Sequence, residues 1–494
     1  MPLRKRKLFF IIVIAVFLAA YLIYIRMGSQ ALIETLATGT ANNENELVFP
    51  APGQTLYKMG LYLDTGRRTM YGNTVLLTRN TSGQALSELW FTVYPNAFKD
   101  SRHSPAPSEA YYAGFNEGYL DFQEFKVNGQ KVEYFPDGVS LQVVLPRDIV
   151  PGEDIKIEMQ WQAQIPKLAY RYGNKGGIYM LGNFYPTLNV LGRDGWHNSY
   201  NSAFGDPFCF HCADYQVSLS LPEGFLMVST GSKRETIAED NGREVHFIEA
   251  QNVRDFCLAV LYDYKESIYG QNRPQIICYS PAKESELAGQ ILKQSAQILN
   301  YYACSWGSYP YLDFKIVFVP MRGFHGMEYS GLIFLSEEFL QPRTYKDHGE
   351  FILAHEIAHQ WWYGMVGNDQ LKEPWLDEGL ANWSAYKYLK EYQGIEPPCG
   401  NEFQNGINLA QEMREIVSRQ EYYRMAYSGG EAFWFALEKE MGEDTVNKVL
   451  RRYLADFRFK VASTEDLLLV IKKEARRDMS DYFHKWSLDK PVSD

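Results

Sequence analysis

The stretch His355-Glu356-Ile357-Ala358-His359-Gln360-Trp361-Trp362 decides how this chain is read. It lies in a run, His348 to Tyr363, whose apolar residues recur at helical spacing and which closes at Gly364. Two histidines four positions apart sit on one helix face, one turn from each other. Imidazoles placed that way can fill two corners of a tetrahedral zinc site, and Glu356 between them can take a proton from water without being a ligand. A five-residue run also arises by chance on a surface helix, so the third ligand carries the decision. Glu378 follows His359 by nineteen positions in Trp375-Leu376-Asp377-Glu378-Gly379-Leu380-Ala381 and opens a second helical run, Trp375 to Tyr392, before Gly394. An acid at a helix start is favoured by the helix dipole in any case. In this order, however, two His and one Glu leave a fourth position for water, as a catalytic zinc requires.

Outward from this centre the periodicity divides the chain. From about Leu56 to Tyr264 it is mostly two: Leu89-Trp90-Phe91-Thr92-Val93-Tyr94, Ile155-Lys156-Ile157-Glu158-Met159 and Tyr215-Gln216-Val217-Ser218-Leu219-Ser220-Leu221 are examples. Turn signals such as Asn128-Gly129 and Pro222-Glu223-Gly224 separate these runs, which predicts an antiparallel β-domain. Beyond residue 265 helices dominate. Ser285 to Trp306 and Glu431 to Met441 are amphipathic, and Ser463-Thr464-Glu465-Asp466 resembles a capping box. A small β-pair, Lys315 to Val319 and Gly331 to Leu335, stands among them.

Together with Glu378 in its Trp-Leu-Asp-Glu-Gly setting, the His355 to Trp362 run resembles the gluzincin zinc aminopeptidases of the alanyl aminopeptidase and leukotriene A4 hydrolase type. Upstream, Gly326-Met327-Glu328-Tyr329-Ser330-Gly331 is similar to the family's Gly-Ala-Met-Glu-Asn motif, with Met327 and Glu328 in register. Downstream, Tyr427-Ser428-Gly429-Gly430 is similar to the Tyr-x-x-Gly turn that supplies a catalytic tyrosine. The resemblance covers roughly residues 56 to 490. It implies a multidomain α+β protein: an N-terminal antiparallel β-domain of saddle or sandwich form, then a thermolysin-like, mainly helical zinc peptidase domain. It implies one Zn2+ per chain on His355, His359 and Glu378, with Glu356 as base. It also implies Tyr427 as oxyanion donor, Glu328 as the anchor for a substrate's free α-amine, and Met327 and Gly326 beside an extended peptide. Two positions depart from the pattern: His325 replaces the motif's first Gly and Tyr329 its Asn, which puts substrate preference and strict exopeptidase behaviour in question. The chain resembles a short form without the large C-terminal helical domain of long members, so an open cleft, or one covered by another chain, is expected. Three other readings share these residues: an endopeptidase, an epoxide-hydrolysing enzyme, and a silent membrane-tethered binding protein that kept the fold. The last is disfavoured because all ligands and the base are present.

Arg4-Lys5-Arg6-Lys7 precedes an uncharged apolar run from Leu8 to Ile25. At ~1.5 Å per residue that run is about 27 Å long, enough to cross a bilayer. It exceeds a signal-peptide core and lacks an Ala-x-Ala-like site, which favours a retained anchor with the basic end cytoplasmic and the body outside. Small and polar residues around Ala37 to Asn43 form a tether. The division expected is a basic segment 1–7, an anchor 8–25, a tether 26–55, a β-domain 56–264 and a catalytic domain 265–494. The formal net charge of −11 makes nucleic acid a poor partner. Peptides with a free N-terminus and the membrane are the partners expected. Of the six cysteines, Cys209-Phe210-His211-Cys212 carries only a weak metal-knuckle signal because no second Cys/His pair lies at finger spacing; buried thiols or one local bridge are expected.

Overall fold

The computed structural model describes residues 48–270, 273–283, 286–398, 403 and 407–488. The basic segment, the anchor and most of the tether lie outside the described residues. Among those described, no helix is long and apolar enough to cross a membrane.

Strands come first. An eight-stranded sheet runs in the order Ser232–Glu239, Arg243–Val253, Ala213–Pro222, Leu56–Asp64, Thr69–Arg79, Asp154–Gln164, Tyr119–Val127, Gln130–Lys131. Asp154–Gln164 buries every second side chain, the signature of a strand with one face on a core. The expected antiparallel pairing holds except at one place: Leu56–Asp64 runs parallel to Ala213–Pro222. Period-two patterning is the same for either orientation, so only the tertiary path shows this. A four-stranded sheet containing Leu86–Thr92 and Ser140–Ile149 shares one apolar core with the large sheet, and Phe91 meets Phe125 edge-on at 5.5 Å.

A third sheet, which includes Ile178–Leu181 and Leu258–Leu261, joins the two halves. Its Met180 and Ala259 pack in one cluster with Val317, Met327 and Phe334 of the second half. The second half holds a five-stranded sheet ordered Tyr264–Tyr269, Gln275–Pro281, Asp313–Val319, Leu332–Ser336, Gly326–Tyr329. The pair expected from sequence are neighbours in it and run parallel, with Lys315 opposite Leu332. The edge strand Gly326–Tyr329 is antiparallel to its neighbour.

Helix α1 is Glu286–Ser305, α2 Glu350–Ala358, α3 Trp375–Gln393 and α4 Gly430–Met441. Thr464–Ala475 is capped reciprocally by Ser463 and Asp466, as its sequence anticipated. The helix expected over His348 to Tyr363 is shorter: α2 ends at Ala358 and His359 is its C-terminal cap. Arg254 holds the segment that follows. Its buried guanidinium donates to the carbonyls of Tyr363 (2.6 Å) and Phe210 (2.7 Å), and to that of Lys460 (2.9 Å). A cation that satisfies carbonyls just past a helix end stabilises a turn there and ties the β-domain to it.

Candidate active site

Helices α2 and α3 bring the three proposed ligands together. His355 Nε2 and His359 Nε2 lie 3.0 Å apart, and both face Glu378 Oε2, at 3.2 and 3.4 Å. His359 Nδ1 donates to the Trp362 carbonyl at 2.9 Å, which leaves the Nε2 lone pair turned inward. All three side chains are buried. Two imidazole nitrogens and a carboxylate oxygen converging on one point suit a zinc ion. A carboxylate between two imidazoles stays ionised. Burial raises the Glu378 pKa, but the two histidines beside it outweigh that and hold the group below the usual range.

Residues around Glu378 explain how α3 delivers it. Asp377 accepts from Asn368 Nδ2 (3.1 Å), from Gln370 Nε2 (2.8 Å) and from the Glu378 backbone N–H (3.1 Å). Trp362 Nε1 donates to Ser384 Oγ at 3.2 Å and links the end of α2 to α3. One residue past the ligand, a Cβ on Gly379 would stand 2.5 Å from Gly430 Cα. Only paired glycines let α3 and α4 approach so closely, and that approach sets Tyr427 beside the ligands.

Tyr427 lies in a π-helical segment, Tyr423–Gly429, that runs straight into α4. This corrects the turn expected from sequence; the close helix contact, not a loop, positions the ring. Its hydroxyl donates to Glu378 Oε1 at 2.5 Å, and the ring stacks on His355 at 5.9 Å. Burial, reinforced by Glu378, keeps its pKa well above that of a free phenol, so the O–H remains a donor at neutral pH.

Glu356 and Glu328 face the same cleft. Both are buried, and Glu356 Oε2 and Glu328 Oε1 have no hydrogen-bond partner among the described residues. Burial lifts the Glu356 carboxyl to about 8 and that of Glu328 well above its ordinary range. The unpartnered oxygens leave each carboxyl group open to a hydrogen-bond donor from a guest in the cleft. The strand carrying Glu328 is clamped by Gln360, whose Oε1 accepts from Gly331 N (2.8 Å) and whose Nε2 donates to the Tyr329 carbonyl (3.0 Å). Gly326 is required beside the base: a Cβ there would collide with the Glu356 carboxylate. Met327 borders the cleft but its side chain belongs to the apolar cluster between the halves. Tyr329, the departure from the family motif, points into that cluster too, its hydroxyl against Gly182. Strand alternation sends Gly326 and Glu328 one way and Met327 and Tyr329 the other.

The cavity at this centre has a volume of about 70 Å³. Its walls include residues for which the sequence offered no motif: Tyr170, Arg171, Asp206 and Phe324. Arg171 and Asp206 form a buried ion pair, and the guanidinium lies over the Phe324 ring at 4.8 Å. They come from irregular segments 35 positions apart, which no spacing rule connects.

Comparison with known proteins agrees with this geometry. Residues 290–486 match the Peptidase family M1 domain. Aminopeptidase M1-B of Oryza sativa subsp. japonica is 22% identical over 418 residues, which cover 74% of this chain and 45% of that protein. The chain spans about a third to a half of the length of the curated relatives it matches first. A solved mutant of a two-domain M1 zinc metallopeptidase bound to L-arginine superposes with a TM-score of 0.63 at 17% identity, covering 90% of this chain and 99% of that one. An M1 zinc metallopeptidase from Deinococcus radiodurans gives 0.62 at 18% identity, over 90% and 97%. These likenesses establish the two-domain fold: a β-domain followed by a mainly helical domain.

Proposed function

We propose that the protein is a zinc-dependent aminopeptidase that removes residues from peptides with a free N-terminus. The observation that carries this is the convergence of His355, His359 and Glu378 in a cleft where two further carboxylates, Glu356 and Glu328, lie buried without hydrogen-bond partners on those oxygens. One zinc held by the three ligands would supply Lewis acidity at the scissile carbonyl. Glu356, which faces the cleft beside the two histidines, takes the proton of the attacking water and returns it to the leaving amine. Tyr427 turns its O–H from Glu378 to the carbonyl oxygen as negative charge develops there. Glu328 receives the α-ammonium group, and an ionic anchor this close to the metal ligands limits cleavage to the first bond.

The test is hydrolysis of aminoacyl amides, free and N-blocked, by the purified full chain. Turnover of free substrates should vanish with a chelator and return with zinc. Equal turnover of blocked substrates would sink the N-terminal specificity, and indifference to chelation would sink the zinc.

The apolar run 8–25 behind its basic cluster supports a single-pass anchor with the catalytic body outside the cell. Deleting residues 1–26 should move the protein from the membrane fraction to the soluble one. Retention in the membrane after that deletion contradicts the anchor.

A further inference from the structure

A second group of donors lies away from the cleft. His197 follows the short strand Gly195–Trp196, Cys209 belongs to the segment that leads into Ala213–Pro222, and Asp369 precedes α3. Their ligand atoms all fall within 4.8 Å of one another. His197 Nδ1 is 2.6 Å from Asp369 Oδ2, and Cys209 is a buried free thiol. On the other side of the ring, His197 Nε2 is 3.2 Å from Asp194 Oδ1.

We infer that His197, Cys209 and Asp369 form a second metal site, for a divalent cation of the zinc type. The ligand chemistry selects this class: a thiolate, an imidazole and a carboxylate suit a borderline-soft ion and are poor company for calcium or magnesium. An ion with bonds of about 2.0–2.3 Å holds its donors roughly 3–4 Å apart, so the site needs only a small adjustment to close. Nδ1 now shares a proton with Asp369 at 2.6 Å; binding a cation moves the ring proton to Nε2, which lies 3.2 Å from Asp194 Oδ1, and turns the Nδ1 lone pair toward the ion. A carboxylate behind a ligating histidine fixes the tautomer in this way. Binding displaces the Cys209 thiol proton to solvent and forms the metal–sulfur bond. Burial and Asp369 hold that thiol protonated in the absence of a cation.

The position explains what the ion does. Asp369 Oδ1 accepts from the backbone N–H groups of Leu371 (3.0 Å) and Lys372 (3.2 Å), and Gln370 N donates to the Phe208 carbonyl (3.1 Å). Gln370 in turn braces Asp377 beside Glu378. A cation here staples the β-domain to the loop that supports the catalytic ligand, and stabilises the fold without touching substrate.

The experiment is metal counting and cobalt substitution on the full chain. Saturated wild type should hold two equivalents, and Co2+ should give a thiolate-to-cobalt charge-transfer band in the near ultraviolet. The cleft has no thiolate, so that band reports only the second site. His355→Ala should drop the count to one and keep the band. Cys209→Ser should lose the band, keep one equivalent and its hydrolytic activity, and melt at a lower temperature. If Cys209→Ser fails to fold, the wild-type count and band decide alone. One equivalent at saturation with no thiolate band would overturn the site.

Discussion

The cleft triad and the His197 cluster each gather three side chains able to hold a metal ion, yet they are constructed in opposite ways. His355 and His359 share one helix, and Glu378 opens the next. Their geometry follows from a repeat of 3.6 residues and one short connection. His197 and Asp369 are 172 positions apart and meet only because two domains dock. The first cluster is local and rigid, so it suits chemistry that tolerates little displacement. The second spans a seam, so it suits a staple. The difference teaches that a cluster of metal-ligating groups takes its role from the elements that hold it.

Four substitutions break or sharpen that contrast, beginning with the largest effect. Glu356→Gln should keep the cleft metal and lower turnover by about 10²- to 10⁴-fold, the range for loss of a general base. Full activity in that variant would remove Glu356 from the mechanism, and no change at Cys209 should approach such a loss. Tyr427→Phe should cost roughly 10²- to 10³-fold in kcat, as loss of an oxyanion donor does, with zinc content unchanged; an effect confined to KM would assign the ring to packing. Glu328→Gln should weaken kcat/KM on free-amine substrates by about 1.5–3 kcal/mol, the worth of a charge-assisted hydrogen bond. The same loss on N-blocked substrates would contradict an amine anchor. Gln360→Ala strands the Gly331 N–H and the Tyr329 carbonyl, and should cost about 1–3 kcal/mol of stability, read from the urea midpoint. A midpoint equal to wild type would mean that the strand carrying Glu328 needs no clamp.

Residues differ in how much of this was visible beforehand. His355, Glu356 and His359 could be placed from spacing alone, and Glu378 from its distance and helical setting. Glu328 and Tyr427 were reached only by family resemblance, because one edge-strand Glu and one Tyr among 35 carry no spacing signal. The role of Tyr329 was misjudged as a concern for specificity, since the motif does not show which way the strand faces. The Gly379–Gly430 contact was written in the sequence as two ordinary glycines, and only helix packing shows their use. The hold of Arg254 on the segment after α2 was hidden because Arg254 lies in another domain. The five cysteines among the described residues are free, so of the two states expected, thiols or one local bridge, no bridge forms among them.

What the sequence by itself determined is the periodic part: strands before helices, the ligand pair on one face of α2, and the carboxylate that opens α3. Those features depend on neighbours within a few positions, where backbone geometry leaves little choice. Tertiary structure alone decided which strands run parallel and where α2 stops. It likewise set the Arg171–Asp206 pair in the cleft wall and brought His197 to Asp369 across the domain seam. Each of these joins segments far apart in the chain, and the packing of a shared core, which no local pattern encodes, selects them.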